Sequence, residues 1–155
     1  MNKIATDAAA QIPLIVADIY ELAGLLRARG DRIAAAIGQT QARWQVLSAA
    51  SDQPLSVPRI ARRLGLTRQA VQRIADLLVG ENLAGYADNP DHKASPHLVL
   101  TKSGRDTLAR LTKTARAGHQ ELAAKLEGVE LPALRRDLRA LLAALNGSAK
   151  FNRGE

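Results

Sequence analysis

Residues 60–84, IARRLGLTRQAVQRIADLLVGENLA, decide the fold. Two helical patterns meet there at the corner Leu64-Gly65-Leu66. Ile60, Ala61 and Leu64 lie on one face before the corner, and Val71 and Ile74 on one face after it. Gly65 supplies a residue that takes a positive φ without strain, and small Ala61 allows close approach of the two helices. Thr67 stands where a helix cap belongs, so a helix is expected from Arg68 to about Val79. At 100° per residue that helix separates into two arcs. Arg68, Gln69, Gln72, Arg73 and Asp76 share the outer one, and Ala70, Val71, Ile74, Ala75, Leu77 and Leu78 the inner one. This is the layout of a helix-turn-helix, whose second helix lies in a DNA major groove. Arginine matches guanine there and glutamine matches adenine, while Thr67 and the helix N-terminus suit a phosphate. An amphipathic helix with a merely solvated polar face shows the same two arcs, so the neighbouring sequence must decide.

The helix before the corner is expected at 57–64, with Ser56 as its cap and Pro58 in its first turn. Leu55-Ser56 reads as a short extended piece. After the corner the period changes from helical to alternating. Residues 83–88 and 97–100 read as two short strands around a loop with two prolines, NPDHKASP. Such a hairpin has no core of its own and must lean on the helices before it. His92, Lys93 and Ser95 lie near its tip, where Asp91 is placed to position Lys93, and a basic tip beside a helix-turn-helix suits a minor groove. Between residues 56 and 105 eight basic residues face four acidic ones, a net +4.

Farther out the chain is helical. A long helix is expected at 13–37, with a bend at Gly30-Asp31 and a stop at Gly38; it is apolar so far round that it packs on more than one neighbour. Thr40 caps a second helix, QARWQVLSAA. Thr101 caps a fifth, with Leu108, Leu111, Ala115, Leu122 and Leu126 on one stripe and Gly128 at its end. A Leu-rich sixth starts near Pro132 and stops at Asn146-Gly147, leaving SAKFNRGE as a tail.

The bulk numbers agree. The 155 residues suit one domain of moderate size. The net charge of +7 and a pI near 10.4 favour a polyanionic partner. Aromatic residues are only 3%, which favours helices over sheets. The chain has no cysteine, so disulfides, thiolate catalysis and cysteine-based zinc sites are excluded. His92, His97 and Asp91 lack a fourth ligand at a suitable spacing, so no metal is expected, and no cofactor either. No HExxH, nucleophile elbow or phosphate-binding glycine loop occurs, and an enzyme is not expected. The apolar run in residues 1–20, interrupted by Asp7, Gln11 and Asp18, reads as too short for a membrane span; the expected setting is cytoplasmic, with no membrane partner.

Three stretches together resemble the MarR family of winged-helix transcriptional regulators: IGQTQARWQVL before the corner, the stretch quoted at the outset, and a D-x-(R/K)…LTxxG pattern. The last reads Asp91-His92-Lys93, then Leu100-Thr101-Lys102-Ser103-Gly104. The resemblance covers nearly the whole length. Lys93 stands where arginine is commoner, which weakens the expected minor-groove insertion, and the segment from Asp91 to Leu100 is slightly longer than in many members.

The resemblance implies a mainly α fold with a small β-hairpin wing, a winged helix-turn-helix with N- and C-terminal dimerisation helices. Residues 40–105 would form the DNA-binding lobe, and 1–39 with 106–155 the dimerisation helices. It implies a homodimeric regulator, a repressor on a pseudo-palindromic operator in double-stranded DNA, with Thr67, Arg68, Gln69, Gln72, Arg73, His92 and Lys93 at the DNA. Ile15, Ile19, Leu138, Leu141, Leu142 and Leu145 would form the dimer interface. The excess apolar surface of the first and last helices points the same way. A small aromatic or lipophilic effector is a further implied partner, with Tyr20, Trp44 and Arg43 at its pocket; core and interface packing explains Tyr20 and Trp44 equally well. The alternative is an architectural DNA binder with little base preference, against which the glutamines on the reading face argue.

Overall fold

The computed structural model describes residues 3–151, and side chains from 8 to 147. Its elements run α1 (Lys3–Ala35), α2 (Gln41–Asp52), β1 (Leu55–Ser56), α3 (Val57–Leu64), α4 (Arg68–Gly80), β2 (Ala84–Ala87), β3 (His97–Leu100), α5 (Lys102–Lys125) and α6 (Leu131–Phe151). The chain divides into two compact units, residues 1–116 and 117–155.

Local signals set most of these limits. Gly65 adopts φ 65°, and the amide of Leu66 donates to Ala61 O at 3.0 Å, so α3 closes in the left-handed turn expected of it. Gly38 ends the helical run of α1 in the same way, with Gln39 N donating to Ala34 O at 2.9 Å. Three threonines begin helices. Thr40 Oγ1 accepts from Arg43 N, Thr67 Oγ1 from Ala70 N and Thr101 Oγ1 from Gly104 N. Each satisfies an amide that the first turn leaves without an intrahelical partner.

The core lies where α2, α3, α4 and the sheet converge, with one turn of α5 against it. Val46, Leu47, Ile60, Val71, Leu78, Leu98 and Leu111 are fully buried. Each such side chain contributes about 1.5–3 kcal/mol of apolar burial. β3 lies against α2 and β2 against α4, which gives the wing its support.

The sheet differs from the expected hairpin by one strand. Its order is β1-β3-β2, antiparallel throughout, with Leu55 opposite Leu98 and Tyr86 also opposite Leu98. The extended piece Leu55-Ser56 is thus one edge strand of a three-stranded sheet. This corrects the role of Ser56. It occupies the capping position of α3, but its side chain makes no capping bond, and the residue is buried in the strand pairing.

Behind the wing, Thr101 joins three elements. Its hydroxyl donates to Asn82 O at 2.7 Å while accepting from Gly104 N at 3.0 Å, and its amide donates to Leu83 O at 3.2 Å. A Cβ on Gly104 would stand 1.9 Å from Leu83 O, so only glycine permits this approach of α5 to the chain leaving α4.

Two other expectations are corrected. Helix α1 begins by Lys3 and carries Pro13 inside it, because Ala8–Ala10 and their neighbours are strong helix formers. Helix α1 continues through Gly30-Asp31, where α2 docks. Gln41 N donates to Asp31 Oδ1 at 2.9 Å, and the Gln41 side chain fills the space where a Cβ on residue 30 would be. Helix α6 runs through Asn146 and Gly147 to Phe151, since neither residue costs more than about 1 kcal/mol in a helix and no proline follows.

The length expected of the N-terminal apolar run is also corrected. Helix α1 continues past Asp18 and Glu21, and from Ala8 to Ala35 it is long and apolar enough to cross a membrane by length and composition, with mean hydropathy 1.5 over an 18-residue window. Its large apolar side chains are exposed on the single chain, among them Leu14, Val16, Leu22 and Leu25.

A candidate nucleic-acid interface

Helix α4 is held by its inner arc, with Val71, Ala75 and Leu78 buried. Its outer arc is therefore fixed in direction. Arg68, Gln69, Arg73 and Asp76 are exposed along it and Gln72 is half-buried. The arginines carry no ion pair on the chain among the described residues, so both guanidinium groups remain open to a polyanion.

The wing tip stands beside the N-terminal end of α4. A cleft of about 490 Å³ is lined by Arg59 and Arg62 of α3, Arg68 of α4, and Asn89, Asp91 and His92 of the loop. The structure thus brings Arg68 and His92 to one site. Lys93 is exposed at the tip and does not line that cleft. Arg59 and Arg62 were identified from sequence only as part of the positive charge; the fold gives them a place beside Arg68. Three cations in one concave surface favour a phosphate backbone, because each neutralised phosphate releases condensed counterions.

Asn89, not Asp91, organises the tip. It is buried, its Nδ2 donates to Ser95 O at 2.7 Å, and its Oδ1 accepts from Asp91 N at 3.1 Å. The bonds His92 N to Asn89 O and Ser95 N to His92 O complete two successive turns. An Asn-Pro pair signals a turn in sequence, but not that its side chain spans the loop.

On the other flank of α4, Gln72 is tied to two residues. Its Nε2 donates to Asp76 Oδ1 at 2.8 Å and to the Tyr86 hydroxyl at 2.9 Å, and that hydroxyl donates to Asp76 Oδ1 at 3.1 Å. Partial burial pushes the Tyr86 phenol above its ordinary value of 10, and its bond to the Asp76 carboxylate pushes the same way, against a smaller lowering by Gln72. Tyr86 therefore stays a neutral donor at physiological pH. Tyr86 was missed from sequence because it lies 14 residues beyond Gln72, on a strand.

The residues assigned to an effector pocket stand in different settings on the chain. Tyr20 is 76% exposed on α1, while Trp44 packs against the core. A cavity of about 270 Å³ beside Trp44 is lined also by Gln41, Gln45, Ser48 and Arg63, and by neither Tyr20 nor Arg43. The Arg43 guanidinium pairs with the Glu81 carboxylate at the C-terminal end of α4. That hydrogen bond holds the Glu81 carboxyl below its usual 4.5, against a smaller opposing effect of burial. Among the described residues no group of three or more His, Asp or Glu side chains is placed to hold a metal ion.

Of the residues assigned to a dimer interface, Leu138, Leu142 and Leu145 are exposed on α6 and Ile15 on α1, with Ile19 and Leu141 half-buried.

Comparison with known proteins places this geometry. The MarR family model matches residues 37–95, which span the lobe from the end of α1 to the wing. An uncharacterized protein of Mycobacterium tuberculosis strain H37Rv is 50% identical over 135 residues, covering 87% of this chain and 94% of its own. Among solved structures, the transcriptional regulator BldR of Sulfolobus solfataricus superposes with a TM-score of 0.69 at 20% identity, covering 93% of this chain and 99% of its own. The repressor CouR bound to a 23-mer DNA duplex superposes with a TM-score of 0.62 at 27% identity, covering 90% and 95%. With the capped corner helix, the supported wing and these likenesses in agreement, residues 37–95 belong to the MarR family, and the chain has the fold of winged-helix transcription regulators.

Proposed function

We propose that this chain is a DNA-binding transcriptional repressor that acts as a homodimer on a pseudo-palindromic operator. The observation that carries this reading is the joint placement of Arg68, at the start of the exposed arc of α4, and the wing tip around one basic cleft. Arg68, Gln69, Gln72 and Arg73 would meet base edges or phosphates in the major groove, Thr67 and the first turn of α4 a phosphate, and His92 and Lys93 the flanking minor groove. CouR has been solved bound to a DNA duplex, and that likeness supports DNA as the partner.

Dimerisation is supported by the apolar faces that α1 and α6 leave uncovered on one chain. The length and hydropathy of α1 also suit a membrane. Asp18, however, would cost about 2.5–3.5 kcal/mol at a bilayer centre, and Glu21 adds a second charge. Burial against a second copy leaves those carboxylates at the edge of the seam, in a cytoplasmic protein. A small aromatic or lipophilic effector would act by changing the separation of the two α4 helices, which must match about one turn of DNA. CouR has been solved with p-coumaroyl-CoA, and that likeness supports an effector of this class.

The test is a binding titration on the duplex beside the chain's own gene. Repression through an operator requires affinity there at least about a thousandfold above that for random duplex. Equal affinity for both overturns the reading and favours an architectural binder. A flat response to salt removes DNA as the partner altogether.

A further inference from the structure

The Gln72–Asp76–Tyr86 triangle restricts what Gln72 offers to DNA, an inference that rests on the DNA-binding reading above. A carboxylate only accepts hydrogen bonds. Asp76 therefore determines which end of the Gln72 amide faces it, namely the nitrogen. The second amide proton goes to the Tyr86 hydroxyl, whose own proton goes back to Asp76. Both donors of Gln72 are consumed inside the chain. Its carbonyl oxygen Oε1 takes part in none of these bonds. Asp76 and Tyr86 are themselves exposed, so the triangle sits at the surface and not under it.

A free glutamine meets adenine at two points, accepting from N6 and donating to N7. A glutamine with its nitrogen tied keeps only the first. We propose that Asp76 and Tyr86 are specificity-determining positioning residues that hold Gln72 as a one-sided acceptor, so that it reads an exocyclic amine, adenine N6 or cytosine N4, and makes no contact to a purine N7. The wing strand β2 thereby tunes the base preference of the helix beside it. The bland alternative is that the triangle only braces α4, as i,i+4 Gln–Asp pairs brace any helix. Bracing would alter stability without altering base preference.

The test begins with selection of bound duplexes by the full-length protein and by Gln72→Ala, which identifies the base pair whose preference depends on Gln72. At that pair the purine is replaced by its 7-deaza analogue, which lacks the N7 acceptor. Wild-type affinity should not change, whereas a loss of fivefold or more means that Gln72 donates to N7 and overturns the inference. Tyr86→Phe and, separately, Asp76→Ala release an amide proton. Each should change the preference at that one pair by about five- to hundredfold while leaving the other positions and the melting temperature nearly unchanged. Unaltered preference in both folded variants overturns the inference and leaves bracing as the role. If no base pair depends on Gln72 although binding stays sequence-specific, the inference falls and the regulator reading stands. If the wild-type protein binds all duplexes equally, both fall.

Discussion

The lobe and the terminal helices use the same residue types to opposite effect. In the lobe, Leu47, Leu78 and Leu98 are fully buried among neighbours from the same chain. On α6, Leu138, Leu142 and Leu145 stand exposed, Leu145 at 63%, and on α1 Leu22, Leu25 and Leu26 do the same. The lobe is thus complete by itself, because short helices, a corner and a three-stranded sheet enclose one core. Each terminal helix carries an apolar stripe that the described residues leave exposed, and exposed stripes of this length mark an interaction surface. On the proposed function, the lobe reads and the terminal helices assemble.

The most severe break of that contrast is a pair of charges on the α6 stripe. Leu138→Asp with Leu142→Asp would bury uncompensated carboxylates at a dimer seam, at several kcal/mol each. Sedimentation should then find monomers with the helical signal of the lobe intact. A persisting dimer would show that this stripe is not the seam. Truncation inside the lobe acts on the fold instead. Leu78→Ala should lower stability by about 2–5 kcal/mol in urea denaturation, with a fall below 1 kcal/mol contradicting the burial described. Thr67→Ala removes the cap of α4 and should cost about 1 kcal/mol in the same assay; no change would mean that the cap contributes nothing.

The smallest expected effect is electrostatic. Glu81 is held below its usual 4.5 by Arg43, so its contribution is present above that value and is lost as pH falls through the depressed folded value. Because half of the Glu81 side chain is exposed, the contribution stays under about 1 kcal/mol. The stabilities of the wild type and Glu81→Gln should differ slightly at pH 7 and converge in acid. A gap that persists in acid would assign the effect to packing.

What could be read from sequence was mostly local. Thr40, Thr67 and Thr101 cap within three residues of themselves, and Gly38 and Gly65 act within their own turns, so α2, α3 and α4 were legible with their limits. The exposed arc of α4 followed from the helical period, although Ala70 and Leu77, expected on the inner arc, are exposed as well. What was missed depends on the tertiary fold. The pairing of β1 with β3 joins residues such as Leu55 and Leu98. Arg43 and Glu81 are 38 residues apart, and Tyr86 reaches Gln72 only because β2 packs beside α4. The last case changed the chemistry expected of the site. By period Gln72 is one more free side chain on the arc, but in the fold both of its donors are spent. Helix α6 shows the opposite error, since Asn146-Gly147 is a local stop signal that the helix passes through.

Footprinting of the protein on its selected duplex is the most direct test that the lobe reads while the terminal helices pair. A dimer with one α4 in each half-site should protect two patches on one face of the duplex, separated by about one helical turn or a multiple of it. The Leu138→Asp, Leu142→Asp protein should lose that paired pattern. A single unpaired patch from the wild-type protein, or two patches that persist in the monomeric variant, would contradict the division of labour.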